Sequence, residues 1–292
     1  MNRETMKILK MVEDGKITPE EAEKLLVALK NKKTDNSGKF YVPTPHKPQI
    51  PKEFWDKIET IPSQIAETLN VTFGSMGKNK GRQVLQSIKK ARVKVVSGNL
   101  KLEGGEGDMI IDGTAWPMKI QSDEEQADVA IVNGNISVEI PSGIEGYFSV
   151  VNGLITAEAV EGNIKLDQIN GDVEIENCSG TWQVKTISGN VDLENISGTW
   201  DIKSRHSNIY SNIGGDGFYN IDTENGDIQI EYPVDSQVLV IVRHGWDSLE
   251  IPQDFEPGEG EGESKVFSRA GTGPKIELKI SNINGNTIIE EQ

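Results

Sequence analysis

The sequence predicts a mainly β protein: a parallel β-solenoid with about eighteen residues and two legs per coil, preceded by a small helical hairpin and a linker. Three observations predict it. Glycines fall on a nine-residue ruler at Gly153, Gly162, Gly171, Gly180, Gly189 and Gly198. Within each unit the third and fifth residues are apolar, as in Val173/Ile175, Trp182/Val184, Val191/Leu193 and Trp200/Ile202. That alternation marks a short strand with one buried face. Finally, GDVEIENCSGTWQVK at 171–185 nearly returns as GNVDLENISGTWDIK at 189–203. The near-identity pairs alternate units, so equivalent strands stack about 4.8 Å apart on successive coils.

The N-terminal residues read as helix. Ile8, Leu9, Met11 and Val12 have helical spacing before Gly15. Thr18, Pro19 and Glu21 then supply an N-cap, a first-turn proline and a capping box for a second helix carrying Leu25, Leu26 and Leu29. Residues 1–30 are therefore a predicted helical hairpin, too small to bury much core alone. Residues 31–51, with Pro43, Pro45, Pro48 and Pro51, read as an extended linker. Residues 52–93 read as an amphipathic helical and basic segment. Phe54, Ile58, Ile61, Ile65 and Leu69 form its apolar face, with a kink at Pro62, and Val84, Leu85 and Ile88 keep helical spacing further on.

Residues 94–292 are the predicted solenoid. In this frame Trp200 lies over Trp182, and Ile209 over Val191 over Val173, giving a structural core stack. Gly98-Asn99-Leu100, Gly134-Asn135-Ile136, Gly226-Asp227-Ile228 and Gly285-Asn286-Thr287 repeat the corner signature outside the regular stretch. A coil of three legs and twenty-seven residues is the alternative register. Gly258 to Glu263 alternates glycine and glutamate and reads as an acidic loop.

Charge divides the chain. Residues 1–102 hold 20 Lys and Arg against 11 Asp and Glu, whereas residues 103–292 hold 10 against 35, for a net charge of -16 overall. The acidic part argues against nucleic-acid binding. Between Thr68 and Leu102 there is no acid but eight bases: Lys78, Lys80, Arg82, Lys89, Lys90, Arg92, Lys94 and Lys101. These either balance the acidic solenoid internally or contact an anionic surface such as a membrane leaflet.

Catalytic signatures are weak. Cys178 occupies an inward position usually filled by Ile or Val, so it reads as a small buried hydrophobe. His46, His206 and His244 lack metal-ligand spacing. Gly214-Gly215-Asp216-Gly217 is a single fragment of the calcium β-roll signature, whose repeat the other corners lack. Asp167, Lys185 and Lys203 share one outward column, with Arg205 beyond, and a polysaccharide lyase would need such groups. A cross-rung charge ladder explains the column equally. The expectation is no enzyme, no cofactor and no metal. The charged residues around Met1–Lys10 give no signal-peptide core, and no apolar run is long enough to cross a membrane, so the sequence predicts a cytoplasmic location.

ILKMVEDGKITPEEAEKLLVAL at 8–29 resembles the SHOCT-like helical hairpin, and the NGDVEIEN and SGNVDLENISG repeats resemble the bacterial adhesin-type β-strand repeat family. Hairpin followed by repeats resembles the YvlB/LiaX-type proteins of Gram-positive bacteria. That resemblance implies a non-enzymatic role in the cell-envelope stress response, including the response to antimicrobial peptides. It implies a protein or cationic-peptide partner and a membrane or cell-surface association. The remaining readings are a structural, adhesin-like or self-associating polymer-forming solenoid and, as an outsider, a carbohydrate-active enzyme.

Overall fold

The computed structural model describes residues 82–292, apart from 116–117, 245–247, 261 and 263. The helical hairpin predicted over 1–30, the linker over 31–51 and the apolar face over 52–81 lie outside the described residues.

The body is a parallel β-solenoid with two legs per coil. One leg carries the tryptophans. Glu161–Asn170 pairs in parallel with Ser179–Ser188, which pairs with the second half of Val191–His206, so Ile164, Trp182 and Trp200 are in register. The other leg carries the valines: Ile155, Val173, Val191 and Ile209 are in register across four parallel strands. Equivalents are eighteen residues apart, which settles the coil at two legs. The offset holds at eighteen through Leu193 and becomes nineteen from Gly198, the pairing of Val191–His206 with Ile209–Asn225 shifting register around Ile196 to absorb the extra residue before Gly217.

The corner chemistry explains the Gly-Asn and Gly-Asp signature. Gly189 has a φ of +122°, and a Cβ there would lie 2.0 Å from the Gly171 carbonyl oxygen one coil away. Glycine is thus required by both conformation and close approach. The Asx that follows forms a ladder. Asp172 Oδ1 accepts the Asn190 backbone N–H at 2.8 Å, Asn208 Oδ1 accepts that of Asp227 at 3.0 Å, and Asp227 Oδ1 accepts that of Asn286 at 2.8 Å. A short acceptor side chain at each corner ties one coil to the next.

The core lies between the legs. Trp182, Trp200 and Tyr219 fill one inward column, and Val173, Val191 and Ile209 fill the facing one, all essentially inaccessible to solvent. A third inward column is polar: Gln168, Thr186, Ser204, Thr223 and Asn282 are fully buried beside the glycine corner. Gln168 donates to the Gly153 carbonyl and Asn282 Nδ2 to the Gly226 and Asn286 carbonyls, the latter two both at 3.1 Å, so the amides of this column serve the backbone of the corner.

At both ends the coils depart from chain order. Lys90–Ser97 lies between Gln126–Pro141 and Ile144–Asn152, and Leu100–Gly105 lies between Gln126–Pro141 and Ile155–Glu158. The first coil in sequence is therefore an interior coil. The last is interior too: Lys275–Asn284 lies between Ile209–Asn225 and Gln237–His244, and Thr287–Glu291 between Ile228–Tyr232 and Leu249–Glu250. Antiparallel strands cover both legs of the outermost coil at one end and one leg at the other. Met109–Ala115 and Met118–Ser122 pair with Gln126–Pro141 at one end, and Lys265–Arg269 pairs with Gln237–His244 at the other. Arg269 clips the second cap, binding Asp254 at 2.6 Å and Glu291 at 2.7 Å.

The helical reading of 82–93 is corrected. Gln83–Leu85 is a strand antiparallel to Met109–Ala115, and Lys90–Ser97 begins the solenoid. Ala91, Val93 and Val95 are buried at every second residue, and this period of two decides the conformation. Val84 and Leu85 lie opposite Ile110 and Met109, a long-range pairing that overrides their local helical spacing.

Candidate functional site

Two outward faces of opposite character are the candidate surfaces. The structure divides the basic series of the sequence between them. Lys78 and Lys80 lie outside the described residues, and Arg82 precedes the edge strand. Lys89 forms an ion pair with Glu125. Lys90, Arg92 and Lys94 alternate outward along the tryptophan leg, whereas Lys101, past the Gly98 corner, points outward from the valine leg. Lys101 binds Glu103 at 2.6 Å, and this hydrogen bond raises the pKa of its ammonium.

On the tryptophan leg, Arg92, Tyr147 and Lys165 share one column and Lys94, Ser149 and Asp167 the next. Asp167 continues through Lys185 and Lys203 to Asp222, giving a ladder of mixed sign. Burial pushes the Asp167 carboxyl above its ordinary range, opposed by a hydrogen bond from Tyr147 and by Lys185 and Lys165. Burial pushes the Asp222 carboxyl up as well, with Lys203 and Asn220 opposing. Asp201 is half-buried, which alone would raise it, yet hydrogen bonds from Lys203, Asn220 and Gln183 outweigh that desolvation and hold it below the usual carboxylate range. The column considered for lyase chemistry is occupied by these mutual contacts.

The valine leg presents a column of glutamates. Glu139, Glu103, Glu158, Glu176 and Glu194 are in direct register on five consecutive coils. Glu231 and Glu290 continue it beyond Asn212. Glu174 and Asp192 are paired in the adjacent outward column. Like charges stacked at the strand spacing repel one another. Lys101 relieves part of this repulsion, reaching Glu103 and Glu158. Among the described residues no ion pair reaches Glu174, Asp192 or Glu194, which are exposed. This column was missed in the sequence, although Glu176 and Glu194 stand eighteen residues apart in the repeat itself.

The remaining reactive side chains have structural partners. Cys178 is buried; its thiol donates to the Glu176 carbonyl at 3.2 Å and accepts the Val160 N–H at 3.3 Å. Burial pushes that thiol up to about 11. Asp216 Oδ1 accepts the Lys275 backbone N–H at 2.6 Å, so the single roll-like fragment caps an incoming strand. His206 lies 3.2 Å from Asn225 in the corner amide column, and His46 lies outside the described residues. Among the described residues no three His, Cys, Asp or Glu side chains are grouped to hold a metal ion, and no helix is long and apolar enough to cross a membrane.

Residues 86–290 match the family described as Toastrack DUF4097, and residues 3–34 match a SHOCT-like domain. Among solved structures, a "putative cell adhesion protein" from Clostridium sporogenes is similar at 12% identity, covering 73% of this chain and 100% of that one, with a TM-score of 0.32. A "putative adhesin" from Bacteroides fragilis is similar at 11% identity, covering 75% of this chain and 100% of that one, with a TM-score of 0.33. No curated protein matches the chain.

Proposed function

The chain belongs to the Toastrack DUF4097 family, and from that premise we propose that it is a non-enzymatic binding scaffold of the cell-envelope stress response, whose glutamate column captures cationic peptides. The five glutamates in register carry this reading. A rigid line of carboxylates about 4.8 Å apart is complementary to a chain of Lys and Arg side chains. Their mutual repulsion is a standing cost that a cationic partner would relieve. The stress-response role itself rests on the resemblance of the hairpin-plus-repeat arrangement, and with it goes the expectation of work at the membrane or cell surface.

A self-associating polymer is the second reading. Antiparallel strands cover both legs of the outermost coil at one end and the Gln237–His244 leg at the other, where Pro257 stands in the edge strand; the remaining edge, Leu249–Glu250, is only two residues long. Such edges are poor templates for adding another chain. The protein is therefore expected to act as discrete particles rather than filaments.

The test is titration of a fluorescent Lys-rich amphipathic peptide into the full chain and into a Glu174→Gln, Glu176→Gln, Glu194→Gln variant. Peptide affinity should fall at least tenfold in the variant, while its melting temperature holds or rises because repulsion is removed. Equal affinity for both proteins would refute the assignment.

A further inference from the structure

The tryptophan leg carries a depression of about 530 Å³ near the start of the solenoid, on the opposite sheet from the glutamate column. Lys90, Arg92, Lys94, Tyr147 and Lys165 line it. The three bases of Lys90–Ser97 occupy alternate positions, so they project on one side about 7 Å apart. Tyr147 stands in register between Arg92 and Lys165, which places a phenol ring between two cations on strands about 10 Å apart.

Among the described residues, carboxylates approach Lys90, Arg92 and Tyr147, and none saturates the Arg92 guanidinium. Glu145 meets Lys90 at 3.2 Å, but both side chains are more than half exposed, where an ion pair contributes little. Asp128 approaches Arg92 only to 3.5 Å, too long for a strong hydrogen bond, and a guanidinium has five donors. Asp167 takes the Tyr147 hydroxyl as its hydrogen-bond donor. Balancing the acidic domain does not account for the cluster either. The densest acids are the glutamates of the valine leg, and these bases sit on the other sheet.

We propose that this depression is a binding site for a phosphodiester, with Arg92 and Lys165 holding the non-bridging oxygens and the Tyr147 ring packing against the ester's carbon chain. A tetrahedral phosphate offers several acceptors to donors converging from both sides, and a guanidinium fork matches its geometry. Lys90 and Lys94 add charge at the rim. Burial and the neighbouring Arg92 lower the pKa of Lys94, with Asp128 opposing, so an arriving anion also relieves crowding among cations.

The phosphodiester has two sources, a soluble glycerophosphodiester or the headgroup of phosphatidylglycerol. The full chain is titrated with glycerophosphoglycerol by calorimetry and cosedimented with phosphatidylglycerol vesicles and with phosphatidylcholine vesicles. Binding to the soluble diester assigns a self-sufficient pocket; binding to phosphatidylglycerol vesicles alone assigns the headgroup in its membrane. In either case Arg92→Gln with Lys165→Gln should weaken binding about tenfold or more, with the melting temperature unchanged. Lys279→Gln, farther along the same leg, should bind as the parent does. The proposal is overturned if the double variant binds like the parent, if both vesicle types bind alike, or if the parent binds neither probe. The glutamate variant described above should retain this binding, which separates the two sites.

Discussion

The indole rings of Trp182 and Trp200 stack with centroids 5.0 Å apart and planes within 7° of parallel, and each ring nitrogen donates to the carbonyl three residues earlier, at 2.9 Å to Ser179 and 2.8 Å to Ser197. Each ring therefore fills the core, stacks on its neighbour and satisfies a corner carbonyl. Trp200→Ala should cost about 3–5 kcal/mol in urea unfolding. Trp200→Phe should cost less, because it keeps most of the apolar volume and loses only the hydrogen bond and part of the stack. Equal losses for the two would show that volume is not what the column needs.

Two glycines separate close approach from backbone strain. At Gly189 a Cβ meets the neighbouring coil's carbonyl, whereas at Gly107, also at positive φ (+123°), it meets nothing within 4 Å. Gly107→Ala should cost on the order of 1–2 kcal/mol from conformation alone. Gly189→Ala should cost clearly more, because two coils must part. Thermal unfolding of both variants checks the ordering.

Asp201 and Asp222 should respond to pH in opposite directions. The Asp222 carboxyl is raised, so its contribution is full below the unfolded value near pH 3.9 and is lost as pH rises through the folded one. Ionised Asp222 is then a cost at neutral pH, and Asp222→Asn should stabilise there by about 1 kcal/mol, an advantage that fades under acid. The Asp201 carboxyl is lowered, so its contribution is present above pH ~3.9 and lost as pH falls through the folded value. Asp201→Asn should destabilise at neutral pH and matter little in acid. Melting temperatures from pH 3 to 8 should lie apart at neutral pH, Asp222→Asn above Asp201→Asn, and converge in acid.

Cys178 should be unreactive in the folded protein. A buried thiol titrating at about 11 holds roughly one part in a thousand as thiolate at pH 8, and access is closed as well. Iodoacetamide should label it only after denaturant is added. Rapid labelling of the native protein would mean that the corner at Val160 and Glu176 opens readily.

The repeat was legible because glycine, tryptophan and Asx recur at positions where a side chain is either excluded or stacked. The order of the coils was not. Lys90–Ser97 and Gln126–Pro141 each alternate as ordinary strands. Nothing in that alternation names the neighbour, so the interleaving of coils at both ends cannot be read from it. The basic series misled for a related reason. Lys94 and Lys101 are close in the chain, yet the Gly98 corner sends them to different sheets. Conversely, Arg92 and Lys165 are far apart in the chain and only two strands apart in the fold. The glutamates were visible singly, and their alignment required the register.

The placement of the first and last coils inside the stack fixes how the domain's length can change. An ordinary solenoid can grow or shrink at its tips, but removing residues 275–292 here would open a gap between Ile209–Asn225 and Gln237–His244. Truncation from the other side, through Lys90–Gly105, would part Gln126–Pro141 from Ile144–Asn152 in the same way. Gain or loss of an eighteen-residue unit is compatible with closure only in the middle, between residues 161 and 206, where coils follow one another in order. Deleting 179–196 should therefore leave a shorter, folded domain with both ends intact, whereas deleting eighteen residues from the C-terminus should not. The glutamate column would shorten with the middle, making the repeat number a direct gauge of how long a partner the valine leg accommodates, while the phosphodiester depression would remain as it is.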